Sequence, residues 1–176
     1  MARRRGPRGV ARIDPETGDR IALVAVGAQP LVLAEALGAI WVTNTGASSV
    51  SRIDPDRNRV VATVEVGAGP TAIASNDRAV YVVSRDTNTV SRIDPDSNRV
   101  VATILVPAEP TAAGQGPGGI WVASATAKQV SLIDTRTNRV AATLDVPDPP
   151  LTILGTPTAV WVASLAGDSV VRIELD

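Results

Sequence analysis

Residues 51–60 read "SRIDPDRNRV", and the same stretch returns at residues 91–100 as "SRIDPDSNRV". Its Asp-x-Asp-x-Asn core is how many calcium loops begin, so the stretch is either a ligand loop or a turn. A calcium loop of the helix-loop-helix kind needs Gly at its sixth position and a bidentate Glu at its twelfth. Counted from Asp54, those positions hold Arg59 and Glu65. Glu65 lies seven residues beyond Asn58 along an extended strand, roughly 23 Å away at about 3.3 Å per residue, so the two cannot close on one ion. Four aligned copies, "DPETG", "DPDRN", "DPDSN" and "DTRTN", place Gly18, Asn58, Asn98 and Asn138 at one position. Gly and Asn best tolerate φ > 0, and Pro15, Pro55 and Pro95 preset the φ that opens a type I turn. The stretch therefore predicts a tight hairpin turn between two strands, with no metal and no cofactor bound there.

The turn is one part of a longer repeat. Val10, Val50, Val90, Val130 and Val170 lie 40 residues apart, as do Ile13, Ile53, Ile93, Ile133 and Ile173. Within one period "TAIAS", "AVYVVS", "TVSRID" and "RVVATILV" are short, β-branched-rich segments separated by Gly, Pro, Asn and Asp, which predicts four strands. Four antiparallel strands repeating at about 40 to 45 residues predict an all-β chain, a β-propeller of four such repeats. Complete blades are expected at 30–66, 70–106 and 110–146, within a repeat domain over 10–176 that follows a basic, disordered tail at 1–9. Residues 150–173 supply three strands of a fourth blade, and 20–26 is the unpaired fourth-strand copy that could complete it and close the ring. Residues 10–13 compete for that place as a second copy of a third strand. A partial propeller, an open arc, or two chains making a larger ring is the alternative, with self-association wherever the ring is not closed.

The columns of the repeat indicate how blades pack. Trp41, Tyr81, Trp121 and Trp161 share one position of the second strand, and with Phe absent they are the main bulky groups of the core. Their recurrence once per blade inside an apolar strand predicts structural packing rather than a stacking platform for sugars or bases. Ala22, Ala62, Ala102 and Ala142 recur in the fourth strand, as expected where sheets approach closely.

Composition excludes several function classes. The 176 residues carry 17 basic and 18 acidic side chains, a net charge of -1, so no global field attracts nucleic acid or an anionic membrane surface. Arg3, Arg4, Arg5, Arg8 and Arg12 form an unpatterned terminal run, expected to be a solvated tail. Without Cys there is no disulfide framework, thiolate nucleophile or sulfur-ligated metal. No apolar run is long enough to span a bilayer, and the basic start lacks the apolar segment of an export signal, so no membrane insertion is expected.

The segment "WVTN" (41–44), followed by "SVSRIDPDRNRVVATVEVGAGP" (49–70), resembles the YVTN-type β-propeller repeat of bacterial and archaeal surface-layer and exported proteins. The resemblance runs from about Val10 onward, with later copies departing as "YVVS" and "WVAS". It implies a binding or interaction scaffold, often extracytoplasmic, with no shared catalytic residues. "GGIWVASATAKQVSLID" (118–134) is also similar to blades of streptogramin lyase, whose metal-assisted elimination relies on histidines. This chain has no His, so that chemistry does not carry over. The expectation is therefore a non-enzymatic scaffold binding an unknown protein or small molecule through loops that differ between copies. "NTGASS", "SRDTNT", "SATAKQ" and "SLAGDS" join second to third strands, and "GAQP", "GAGP", "PAEP" and "PDPP" join blades on the same face. Arg85, Asp86, Glu109, Lys128 and Asp168 are the polar outliers there and the candidate ligand-binding residues.

Overall fold

The computed structural model describes residues 9–174. Most of the expected basic tail lies outside the described residues. Among the described residues seventeen strands are arranged as successive antiparallel sheets. The first sheet holds only β1 (Val10–Ile13) and β2 (Arg20–Val24). Three four-stranded blades follow. Blade 1 comprises β3 (Pro30–Ala36), β4 (Ala39–Asn44), β5 (Ser49–Asp54) and β6 (Arg59–Glu65). Blade 2 comprises β7 (Pro70–Ser75), β8 (Val80–Ser84), β9 (Thr89–Asp94) and β10 (Arg99–Leu105). Blade 3 comprises β11 (Pro110–Gly116), β12 (Gly119–Ser124), β13 (Gln129–Asp134) and β14 (Arg139–Asp145). Blade 4 has three strands, β15 (Thr152–Gly155), β16 (Ala159–Ser164) and β17 (Ser169–Glu174). The fold is an all-β propeller arc, and its innermost strands β3, β7, β11 and β15 neighbour one another in turn.

Closure of a four-bladed ring by residues 20–26 is corrected by this topology. β2 pairs with β1, Val10 opposite Val24 and Ala11 opposite Leu23, and not with β17. Chain neighbours joined by a short turn meet first, and the 10–13 copy already occupies the place beside β2. Both β1 and β17 keep one free edge among the described residues.

Core formation follows the alternation of each strand. Trp41, Val50 and Val64 of blade 1 pack against Val80, Val82 and Ile93 of blade 2. The same interlock brings Tyr81, Val83 and Val90 onto Ile120, Val122 and Ile133, and Trp121 and Val130 onto Val160 and Val162. Trp41, Tyr81 and Trp121 are fully buried, and the indole Nε1 of Trp41 donates to the Ala36 carbonyl while that of Trp121 donates to Pro117. Trp161, expected in the same role, is 39% exposed because no further blade among the described residues covers it.

A bulge recurs where each fourth strand begins. Ile53 faces Val60 and Arg52 faces Ala62, leaving Val61 unpaired, and Val101 and Ile21 are skipped in the same way. These residues explain part of the exposed apolar surface, since a bulged side chain turns outward to solvent.

A guanidinium clasp ties blade to blade. Arg52 donates through Nη1 to the Pro95 carbonyl and to Asn98 Oδ1 at 2.9 Å, reaching into the hairpin turn of the next blade. Arg12 does the same to Pro55 (2.8 Å) and Asn58 (3.2 Å), and Arg92 to Asn138 (3.1 Å). Arg52 also lies over the Trp41 ring, 5.4 Å from its centroid, so this clasp rests on the aromatic column.

Candidate ligand-binding loop face

The turns that raised the metal question lie at the opposite end of the blades from the variable loops. Gly18, Asn58, Asn98 and Asn138 have φ of 75°, 49°, 53° and 56°, the left-handed conformation. The preceding carboxylates are spent on the turns. Asp54 Oδ1 accepts from the backbone N–H groups of Asp56 and Arg57, both at 2.9 Å, and Asp94 accepts from Asp96 (2.8 Å) and Ser97 (3.2 Å). Hydrogen bonds to the charged form hold these carboxyls below the ordinary 3.8, led by the Arg57 N–H for Asp54, Ser97 for Asp94 and Arg136 for Asp134. Among the described residues no cluster of three or more His, Cys, Asp or Glu could hold a metal ion.

On the loop face two connections per blade are bonded into one platform. Thr45 N–H donates to the Gln29 carbonyl, Arg85 to Gly69 and Ala125 to Glu109, each near 3.0 Å (3.0, 2.9 and 2.9 Å). In return Val66, Val106 and Val146 donate to the carbonyls of Ser48, Asn88 and Lys128. Backbone groups that would otherwise need water are thereby paired, which fixes both loops relative to the sheet.

Within this platform the backbone is constant and the side chains are not. Gln29, Gly69 and Glu109 share a left-handed position, with φ of 52°, 65° and 56°. Ser48, Asn88, Lys128 and Asp168 share another, with φ of 47°, 53°, 52° and 47°. Three of the five candidates, Glu109, Lys128 and Asp168, therefore stand on backbone that most side chains disfavour.

The structure distributes the five candidates along the arc instead of gathering them. Arg85 and Asp86 adjoin in blade 2, Nε to Oδ1 at 3.6 Å with both side chains half exposed. Glu109 accepts a hydrogen bond from the Thr126 hydroxyl, and Lys128 Nζ donates to the Pro147 carbonyl at 3.4 Å. Asp168 stands at the blade 4 copy of the Lys128 position. No salt bridge among the described residues joins one of these loops to another.

Two features lie outside the sequence expectations, one on this face and one at the turn end. Asn88 Oδ1 accepts from the Glu109 N–H at 2.9 Å, linking two loops across a blade boundary. At the turn end, outside this face, the clasp column Arg12, Arg52 and Arg92 is legible in the 40-residue spacing, which Leu132 breaks and Arg172 resumes. Beneath the loops the second strands end in buried Asn44, Ser84 and Ser124. Asn44 Nδ2 donates to Ser49 (3.2 Å) and Ser51 (3.0 Å), and Ser124 Oγ donates to Pro107 (3.0 Å).

No family model matches the chain, and no curated protein does. Solved structures match closely in shape. The virginiamycin B lyase of Staphylococcus aureus superposes with a TM-score of 0.76 at 17% identity, over 94% of this chain and 62% of that one. BamB of Moraxella catarrhalis gives 0.78 at 12% identity, over 94% and 52%. Saccharomyces cerevisiae Sqt1 gives 0.78 at 12%, over 90% and 50%. The chain thus spans about half to three-fifths of the length of these structures, and what it shares with enzyme and non-enzyme alike is the β-propeller fold.

Proposed function

We propose that this chain is a non-enzymatic binding scaffold of the YVTN-repeat kind, holding a protein or small-molecule ligand on its loop face. The observation that carries this reading is the left-handed position shared by Ser48, Asn88, Lys128 and Asp168, where one backbone geometry displays four different chemistries. A repeated platform with variable tips fits recognition, in which neighbouring copies must differ. Acid-base catalysis instead favours titratable groups in perturbed surroundings, and no Asp or Glu among the described residues is buried. A lyase-like reading would need bases and metal ligands other than imidazole, since the chain has no His.

The test compares two variants of the immobilised chain for retention of partners from extract. One replaces the loop-face residues Arg85, Asp86, Glu109, Lys128 and Asp168; the other replaces Arg57, Asp77, Arg78 and Arg136 on the opposite face. The expected result is loss of specific retention in the first only. Equal retention by both variants, or loss confined to the second, overturns the assignment.

A further inference from the structure

The boundary between blades 2 and 3 departs from the repeat at the turn end of the arc. Trp41 and Trp121 donate their indole N–H groups to the carbonyls of Ala36 and Pro117. Tyr81 holds the same column and is fully buried, yet its hydroxyl has no hydrogen-bond partner among the described residues. Burial raises the phenol above its ordinary 10.0, and the polar groups opposing this are Arg92, Asn76 and Thr135. A buried hydroxyl left unpaired is costly to the fold, so its partner is to be sought outside it.

Arg92 beside it is also under-used. Arg12 and Arg52 each donate to a turn carbonyl and to an Asn side chain of the next blade, whereas Arg92 donates to Asn138 Oδ1 alone and its buried Nε has no partner among the described residues. Arg52 Nε is unpartnered as well, but that guanidinium lies over the Trp41 ring.

A cleft of about 500 Å³ opens at Arg92, between the β7–β8 and β13–β14 turns. The three polar neighbours of the Tyr81 hydroxyl line it, together with Asp77, Arg78 and Arg136. Asn76 Oδ1 is spent on the N–H groups of Arg78 and Ala79, so its amide nitrogen is the group left to offer. Arg78 Nε stands 3.7 Å from Asp77 and Arg136 Nε 3.6 Å from Asp134, exposed contacts too long for hydrogen bonds. Three guanidiniums thus meet one carboxylate around the cleft, or two with Asp134, which lines its extension beside Gln115. The corresponding cleft one blade earlier balances Arg52 and Arg78 against Asp77 and Asp96.

The excess of donors is peculiar to this boundary. Asn76, Arg78, Tyr81, Thr135 and Arg136 stand where the preceding copy has Ala36, Gly38, Trp41, Pro95 and Asp96, and the following copy has Gly116, Gly118 and Trp121 at the first three positions. Every change but the aromatic one adds a donor or a positive charge, and the aromatic one exchanges a paired N–H for an unpaired hydroxyl.

We propose that this cleft binds a phosphate group, inorganic or the head of a small phosphate monoester, through Arg78, Arg92 and Arg136 with the Asn76 amide and the Thr135 and Tyr81 hydroxyls. One guanidinium satisfies both oxygens of a carboxylate, whereas donors arriving from two blades suit the several acceptor oxygens of a tetrahedral anion. The phosphate supplies, directly or through one water, the acceptor that the buried phenol lacks. The site stands independently of the loop-face reading, because a small anion is titrated in solution and is not scored by retention of a partner.

Isothermal titration calorimetry of the full chain with inorganic phosphate, and with acetate at matched ionic strength, tests this. The expected result is a single saturable site that binds phosphate about tenfold or more tighter than acetate. Tighter binding of glycerol 3-phosphate than of inorganic phosphate supports the monoester source, and the reverse supports the free anion. Arg78→Gly and Arg136→Asp bring in the residue types of the neighbouring copies on exposed side chains, and each is expected to weaken phosphate binding about tenfold. Arg57→Gly, at the same end of the arc but outside the cleft, is expected to leave binding unchanged. Tyr81→Phe is expected to weaken it about threefold while the urea midpoint of the unliganded chain stays equal to or above that of the parent, since only an unpaired hydroxyl is removed. Absence of saturable phosphate binding, phosphate no tighter than acetate, or an equal loss in Arg57→Gly overturns the proposal. So does a lower urea midpoint in Tyr81→Phe, which would mean that the phenol has its partner inside the fold.

Discussion

At the scale of the residue, Asn98 carries two burdens that a turn propensity alone does not distinguish. Its backbone is left-handed, with φ of 53°, and its Oδ1 accepts the Arg52 clasp. Replacement by Gly keeps the backbone comfortable and removes the acceptor, which is expected to cost about 1 kcal/mol. Replacement by Val loses the acceptor and adds the strain of a β-branched residue at φ > 0, about 1 to 2 kcal/mol more. Urea titration of both variants checks the order, and a Gly variant as stable as the parent means that the clasp contributes nothing. The turn carboxylates set an acid limit at the same scale. Their folded pKa values lie below the ordinary 3.8, so the stability they confer is complete above that pH and is lost as pH falls through the lower folded-state values. Chemical denaturation between pH 7 and pH 2 is expected to show this decline, and Asp54→Asn with Asp94→Asn is expected to shallow it. A profile unchanged by both substitutions would refute the linkage.

At the scale of the element, the worth of the aromatic column depends on what stands in front of it. Trp41 and Trp121 are fully enclosed by the next blade, whereas Trp161 is 39% exposed. Trp→Ala at either enclosed site is expected to cost about 3–5 kcal/mol, combining lost burial with a cavity. At position 161 the same change is expected to cost less than half as much in the isolated chain, because less surface is withdrawn from water and solvent fills the space. Thermal and urea unfolding of the three variants gives the comparison. Similar losses at all three would mean that a neighbouring blade already covers Trp161. A glycine marks where the sheets come nearest: a Cβ at Gly155 would collide with the Gln115 carbonyl oxygen on β11. The inner strands of blades 3 and 4 therefore meet backbone to backbone, a constraint that no strand pattern along β15 announces.

At the scale of the whole molecule, stability rests on contacts between successive blades, each sheet lacking a core of its own. Metal contributes nothing in this scheme, since the Asp-x-Asp-x-Asn carboxylates already accept backbone N–H groups. The melting temperature is expected to be the same in EDTA as in calcium, and a clear downward shift in chelator would restore the ligand-loop reading.

Sequence by itself determined the blade. A 40-residue period, alternation within each strand, and Asn or Gly at one position of each aligned hairpin turn are local properties, because strand faces and turn dihedrals depend on residues a few positions apart. The platform of the loop face was legible in outline for the same reason, since Lys128 and Asp168 occupy one column. The tertiary structure decided what depends on the angle between blades: that β2 pairs with β1, that Trp161 stands uncovered, and that Arg52 reaches the turn of the following blade. That angle is set by how side chains of two sheets interdigitate, as when Trp41 settles on Val80 and Val82, and such fit is a property of three-dimensional packing that no single strand encodes.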